Sequence, residues 1–594
     1  MEPKNRNELD PAFQWDLSPI FPDRAAWEQA YAQAQASVSA ISALQGTLGV
    51  DAGSLRRGLD ALCAASQEAE RVYLYAMLRK SGDNGDPENQ EMEARAMNLL
   101  VSLETASAFV NPEILSIPAD RLSDWMERDD LAVYRHMLED TARARPFTLN
   151  AEMERMLAML SDAAGAPDNA FTMLESVDMR FPRVQNEQGE EIELTHGSFP
   201  ALRESRSQEV RRAAFEAYHG EFQRLSNTFA AMYAGSVKLD TYYTRVRGFG
   251  SACERALFSS NVPPAVYDSL IEAIHDGLPI MRRYLELRRK TLGLEELNMY
   301  DLYCPMVDEV EMHLTFDEAR ELVLAATAPL GEEYGAILRR AFSEHWIDVY
   351  ENRGKTTGAF SCGVYGVHPY VLLNFAGGLD DAFTLAHELG HTMHSFLSDR
   401  AQPYVNHDYR ILVAEVASTV NEVLLTRYLL ATETDEKRRA YILNHFLEGF
   451  RTTVYRQTLF AEFERKAHEM DQAGEPLTAD SLSRVYRELN DIYYAGAVNN
   501  PLQDIEWARI PHFYNAFYVY QYATGFCAAV AIASDILETG DPSRYLQFLS
   551  TGGSMYPLDE LKIAGVDLTR PETVRDALRV FDSSLTELEE LLSR

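Results

Sequence analysis

His387-Glu388-Leu389-Gly390-His391 is a short helical stretch that presents two imidazoles to one point. Residues four apart on an α-helix lie about 40° apart around the axis and ~6 Å along it, so both rings can reach one metal ion. Glu388 is turned about 60° from His391, which sets its carboxylate beside such an ion rather than on it. A general base acting on zinc-bound water must stand there. The spacing is that of zinc peptidases, and the surrounding sequence tests it.

Upstream, Gly358-Ala359-Phe360-Ser361 leads through a Gly/Tyr turn to the strand signal Tyr370-Val371-Leu372-Leu373-Asn374-Phe375, apolar and rich in β-formers. Gly377-Gly378 breaks that strand, and Asp380 or Asp381 can cap the helix that follows. Phe383, Ala386, Leu389, Met393, Phe396 and Leu397 give the helix its buried stripe. The strand from Tyr370 suits pairing with an extended substrate backbone. It suits a structural edge strand equally well.

Downstream, a third ligand is needed, because catalytic zinc takes three protein groups and leaves one position open. Glu415 is the candidate, reached through a loop containing Pro403, Asn406 and Asp408. Glu422 follows two helical turns later on nearly the same face, placed to accept a hydrogen bond from a ligand histidine. The apolar neighbours Leu412, Val413, Val416, Val420, Val423 and Leu424 bury this helix, and a buried carboxylate needs a partner. His394 reads as a polar or satisfied core histidine. His368 and His407 carry no assignment.

A further cluster runs Pro511-His512-Phe513-Tyr514-Asn515-Ala516-Phe517-Tyr518-Val519-Tyr520-Gln521-Tyr522. If helical, it lines up Tyr514, Tyr518 and Tyr522 with His512 at the entry. Phenol and imidazole donors can stabilise the oxyanion of amide hydrolysis. Spacing alone favours aromatic packing instead.

The whole chain has 594 residues, 46% hydrophobic and 25% charged, an ordinary globular composition. That length exceeds what one core supports, and a boundary near residue 195 separates an N-terminal helical domain (1–195) from a catalytic domain (196–594). Most segments read as helix, as in Leu59 to Lys80 and Glu91 to Val110, separated by Asp83-Asn84-Gly85-Asp86-Pro87. A β-hairpin is expected around Asn186-Glu187-Gln188-Gly189. A formal net charge of −36 argues against nucleic-acid and anionic-membrane partners. Five scattered cysteines, no signal-peptide core at the start and no apolar stretch long enough to span a bilayer point to the cytoplasm.

Phe383-Thr384-Leu385-Ala386-His387-Glu388-Leu389-Gly390-His391 resembles the M3 family of zinc oligopeptidases, and within it the oligoendopeptidase F branch. Phe13-Gln14-Trp15-Asp16-Leu17, the strand from Tyr370, Glu415 to Glu422, and His512 to Gly525 extend the likeness over most of the chain. It implies a mainly α, two-lobed metallopeptidase with a deep central channel and a small β element beside the motif helix. One Zn2+ per chain would be held by His387, His391 and Glu415, with Glu388 as base. Internal bonds of short peptides would be the substrate. His512 and Tyr518 would act in catalysis, and Tyr514, Tyr522 and Tyr370 in substrate binding. Two departures matter: the tyrosine spacing differs from the thimet oligopeptidase pattern, and Thr419 stands where thermolysin-like peptidases carry an acid. Orienting a ligand histidine therefore falls to Glu422. The rival readings are a metallo-exopeptidase, a catalytically silent peptide binder and a structural zinc site.

Overall fold

The computed structural model describes residues 4–308, 310 and 312–594. Helices dominate, as the long apolar periodicities predict. Helix Ala52–Gly82 stops at the Asp83–Pro87 punctuation, and helix Pro87–Ser107 starts there. Asp86 caps the second by accepting the Glu88 N–H at 2.8 Å, and Pro87 occupies the first turn, where a missing N–H costs nothing. The expected hairpin is present as β1 (Arg183–Gln185) and β2 (Glu191–Glu193), antiparallel, with Gly189 at φ +76° in its turn. Among the described residues no helix is long and apolar enough to cross a membrane.

The chain divides into two compact units, each assembled from three segments. The first comprises Met1–Pro146, Glu311–Tyr428 and Ile532–Gly565; the second comprises Phe147–Val310, Leu429–Ala531 and Val566–Arg594. The boundary expected at residue 195 therefore falls inside the second unit. The reason is local packing: Phe181 before the hairpin and Phe199 after it both stack on Tyr218, at 4.7 and 3.9 Å between ring centroids. Turn residues there mark the end of an element and not the end of a domain.

In the first unit, Trp27, Ala34, Val72, Leu78, Met92 and Leu99 from the three long N-terminal helices share one core with Tyr370 and Leu372. The sheet that supports the motif helix is thus built onto the start of the chain. Its strands β3 (Ile347–Asp348), β4 (Phe360–Cys362) and β5 (Tyr370–Leu372) lie in the order β3-β5-β4. β5 runs parallel to β3 and antiparallel to β4. Its unbroken apolar run follows from burial on both faces.

Glu560, on helix Pro557–Ile563, is fully buried, and neither carboxylate oxygen has a hydrogen-bond partner among the described residues. Burial pushes its pKa up to about 8, against the pull of Arg410. An acid whose folded pKa exceeds its unfolded value of about 4.3 destabilises the fold progressively as pH rises between the two. Glu560→Gln should therefore unfold at higher temperature than the parent at pH 8. Thermal melts should show that gap closing towards pH 5, and a gap independent of pH would contradict the assignment.

Candidate metal centre and active site

The motif helix spans Leu379–Ala401. Asp381 starts it by accepting the N–H groups of Gly377 (2.9 Å) and Gly378 (2.8 Å), a side-chain cap satisfying donors the helix leaves free. Gly377 adopts φ +100°, and a Cβ there would lie 2.8 Å from the His313 ring, so glycine is required on both counts.

Gly390, inside the motif, has a second purpose. A Cβ on it would stand 2.5 Å from Ser418 Cα and 2.6 Å from the Ala417 carbonyl oxygen. The motif helix and the returning helix Ile411–Thr432 therefore touch backbone to backbone at this point. Asn421 fixes the pair by donating to the Ala386 carbonyl at 3.0 Å, and the Tyr334 hydroxyl donates in turn to Asn421 at 3.0 Å. Tyr545 donates to the Ala417 carbonyl at 3.4 Å from beneath.

This crossing brings Glu415 and Glu422 opposite the two histidines. The Nε2 atoms of His387 and His391 are 3.2 Å apart, and Glu415 Oε2 lies 3.5 and 3.7 Å from them. One donor atom from each residue falls within 4.8 Å of the others. Glu415 is steadied by the Ser418 hydroxyl at 3.2 Å. On the far side of the ring, His387 Nδ1 bonds Glu422, which fixes the tautomer that leaves Nε2 free to coordinate. Two facing imidazole nitrogens and one carboxylate form a nitrogen–oxygen donor set that fits a divalent ion with a position left open.

Glu388 is 7% exposed and stands outside that set. Burial pushes its carboxyl up to about 7, Glu415 and Glu422 add to the shift, and His387 opposes it. Burial alone would lower His387, but the bond to Glu422 and the nearby carboxylates raise it to about 9. Burial and the charge on His387 lower His391 to about 3. Thr392 donates to the Glu388 carbonyl at 2.9 Å, and its hydroxyl is 2.9 Å from that of Ser361 on β4. Thr392 has one proton, so Ser361 is the donor of the second bond. Sequence reasoning missed this tie, whose only trace is a hydroxyl residue in Gly358-Ala359-Phe360-Ser361.

His394 is fully buried and stacked on Tyr409 at 3.6 Å, with neither ring nitrogen hydrogen-bonded among the described residues. It lies in the core as expected, but it is not satisfied. Tyr370 departs further from expectation. Its side chain is fully buried, packed edge-on to Trp15 at 6.2 Å. β5 is a central strand with both edges taken, so it is neither a free partner for substrate nor an edge. β3 and β4 are the edges of this sheet.

In the second unit the predicted tyrosine stripe is interrupted. A 3-10 turn at Pro511–Tyr514 is separated from helix Tyr520–Thr539 by Phe517 at φ +59°, a strained value for a bulky residue. Phe517 is 3% exposed and packs on Tyr267 and His468, which holds the break in place. Tyr514 turns away to stack on Phe171 at 4.6 Å. His512, Tyr518 and Tyr522 remain together, with ring centroids 5.5–6.2 Å apart and the Tyr522 hydroxyl 3.4 Å from His512 Nε2. His512 is exposed, and partial burial of its ring lowers its pKa.

A mainly helical scaffold that converges two histidines and a glutamate beside a buried carboxyl of raised pKa defines a metallopeptidase. The chain belongs to peptidase family M3: residues 201–580 match the model of that family, and residues 113–181 match that of oligopeptidase F. It is 43% identical over 594 residues to oligopeptidase PepF of Bacillus subtilis, covering 99% of this chain and 89% of that one. The solved oligoendopeptidase-F of Enterococcus faecium is 36% identical with a TM-score of 0.74, covering 96% of this chain and 99% of that one. A solved chain from Chlamydophila abortus is 32% identical with a TM-score of 0.93 over the full length of both. The enzyme is a metalloendopeptidase of the oligopeptidase class.

Proposed function

We propose that this enzyme uses one zinc ion, held by His387, His391 and Glu415, to hydrolyse internal bonds of short peptides. The observation that carries the reading is the convergence of those three donor atoms next to Glu388. When bound, zinc supplies Lewis acidity towards a peptide carbonyl and lowers the pKa of a water to about 7. Glu388, with its carboxyl already raised by burial, takes the proton of the attacking water and delivers it to the leaving amine. Glu422 keeps His387 turned towards the ion.

The outer edge of β4 has no strand partner among the described residues and suits pairing with an extended peptide, which gives register without sequence preference. A hollow of about 240 Å³ lined by Ala359, Phe375 and Thr384 lies beside it and suits a substrate side chain. The resemblance to family M3 supports His512 and Tyr518 as donors for the developing oxyanion and Tyr522 as a substrate contact. Tyr518→Phe should lower kcat by about 10²–10³-fold with zinc content unchanged; unaltered kcat would remove Tyr518 from this role. A cytoplasmic location belongs to the same reading, supported by five unpaired thiols.

Digestion of blocked and unblocked peptides of graded length, with and without chelator, tests the reading. Internal cuts in blocked short peptides, abolished by chelator and restored by zinc, are expected. Cuts confined to a free terminus, or cuts that survive complete metal removal, would refute it. Glu422→Gln is expected to weaken zinc binding about 10–100-fold in a competition titration. An unchanged dissociation constant would show that His387 is oriented by something else.

A further inference from the structure

The second unit holds a buried group of charges that peptide hydrolysis does not use. Arg203, Arg451 and Arg456 line a small cavity with Tyr303, His219 and Glu506. It leaves about 20 Å³ for the centre of a water-sized sphere. A space of that size takes a small ion or a few waters and no peptide.

The charges around it do not balance. Glu506 is shared between Arg456 and Arg509, the latter at 2.8 Å, and accepts the Tyr486 hydroxyl at 2.6 Å. Glu448 is shared between Arg288 and Arg451, whose Nε and Nη2 reach it at 3.0 and 2.6 Å. Arg203 has no carboxylate partner among the described residues and lies 3.4 Å above the Tyr303 ring, with Arg451 4.4 Å from the same ring. His219 adds no charge, because burial lowers it to about 3. Asp301 acts on Arg288 but is itself paired with Arg211, and the exposed Glu204 acts on Glu448 from a distance. Five guanidiniums thus face two hydrogen-bonded carboxylates. In addition, Arg451 Nη1 has no hydrogen-bond partner although Arg451 is 1% exposed, and Arg203 Nε is likewise unpaired. A buried charged donor of this kind calls for an acceptor.

We propose that this cavity binds one small monovalent anion of the halide class, held by the Arg203 and Arg451 guanidiniums. Its small volume suits a monatomic ion, and its orphan donors and excess positive charge select a negative one. The alternative source of negative charge is the Tyr303 phenol. Burial opposes its ionisation, but Arg456, Arg203 and Arg451 outweigh burial and bring it to about 7.

The test uses the full-length enzyme in chloride, bromide or gluconate at constant ionic strength. A single bromide peak in the anomalous difference map beside Arg203 and Arg451 is expected. The unfolding midpoint should rise with halide concentration to a plateau and should not respond to gluconate. Arg203→Gln should weaken that halide response at least about tenfold and should melt no lower than the parent in gluconate, since it removes an uncompensated charge. Tyr303→Phe should keep the response. No bromide peak and no halide-specific shift would overturn the proposal. So would a phenolate absorbance that titrates near neutral pH in halide and vanishes in Tyr303→Phe, which would make the tyrosinate the counter-charge. Should Arg203→Gln fail to fold, the bromide map of the parent enzyme decides alone.

Discussion

Glu388→Gln should lower kcat on an internally cleaved peptide by about 10²–10⁴-fold while leaving zinc stoichiometry at one per chain. The lower bound is what positioned proton transfer commonly contributes, and the range corresponds to about 2.7–5.5 kcal/mol of barrier. The substitution keeps shape and removes only the ability to accept a proton. It leaves the donor set of His387, His391 and Glu415 and the Thr392 bond to the residue 388 carbonyl in place. Metal analysis and kcat on one preparation check it; a variant that retains turnover would exclude Glu388 as the base. The sign of the pH effect follows from the same group. Protonated Glu388 cannot act, so activity falls on the acid side. A bound dication favours the carboxylate, which places that fall below the metal-free pKa of about 7.

Gly390→Ala should fail in a different way, losing zinc and activity together. Its Cβ would meet backbone atoms at 2.5 and 2.6 Å, and backbone cannot swing aside as a long side chain can. The motif helix and the returning helix must separate, carrying Glu415 and Glu422 away from the histidines. Overpacking of this kind costs roughly 1–3 kcal/mol, and a site 1 Å too wide loses much of its affinity. Zinc titration should show at least a hundred-fold weaker binding, about 2.7 kcal/mol. Gly449→Ala is the matched control: its Cβ would meet only the Phe526 ring at 3.5 Å, ordinary contact in a helix that favours alanine. Equal behaviour of the two variants would show that the crossing at Gly390 tolerates a methyl group.

Much of the metal centre was legible because its signals are local. Helical periodicity sets the two histidines and Glu388, and the need for a third ligand on a buried helix selects Glu415. Glu422 followed from two helical turns. Partners remote in sequence were not legible. Tyr370 lies at the centre of its sheet because β3, only two residues long, pairs with its far side, and two residues leave no periodicity to read. Tyr514 leaves the stripe at the break that Phe517, packed on Tyr267 and His468, makes in the segment. The expected boundary at 195 and the compact units rest on different signals: turn residues report where an element stops, whereas a compact unit is defined by what packs across it.

Both units are stitched from three separated stretches of chain, and this has a consequence for biogenesis. The motif helix leaves the ribosome without the residues that brace it from beneath, Tyr545 under the Ala417 carbonyl and Phe548 beside His394. At ordinary elongation rates they follow on the order of ten seconds later. The side of this helix that Phe548 covers stays open until then, while helix Phe316–Ala326 and strands β4 and β5, already made, can pack on the rest of it. A fragment that ends before Tyr545 holds every metal donor yet lacks part of the brace beneath the helix crossing.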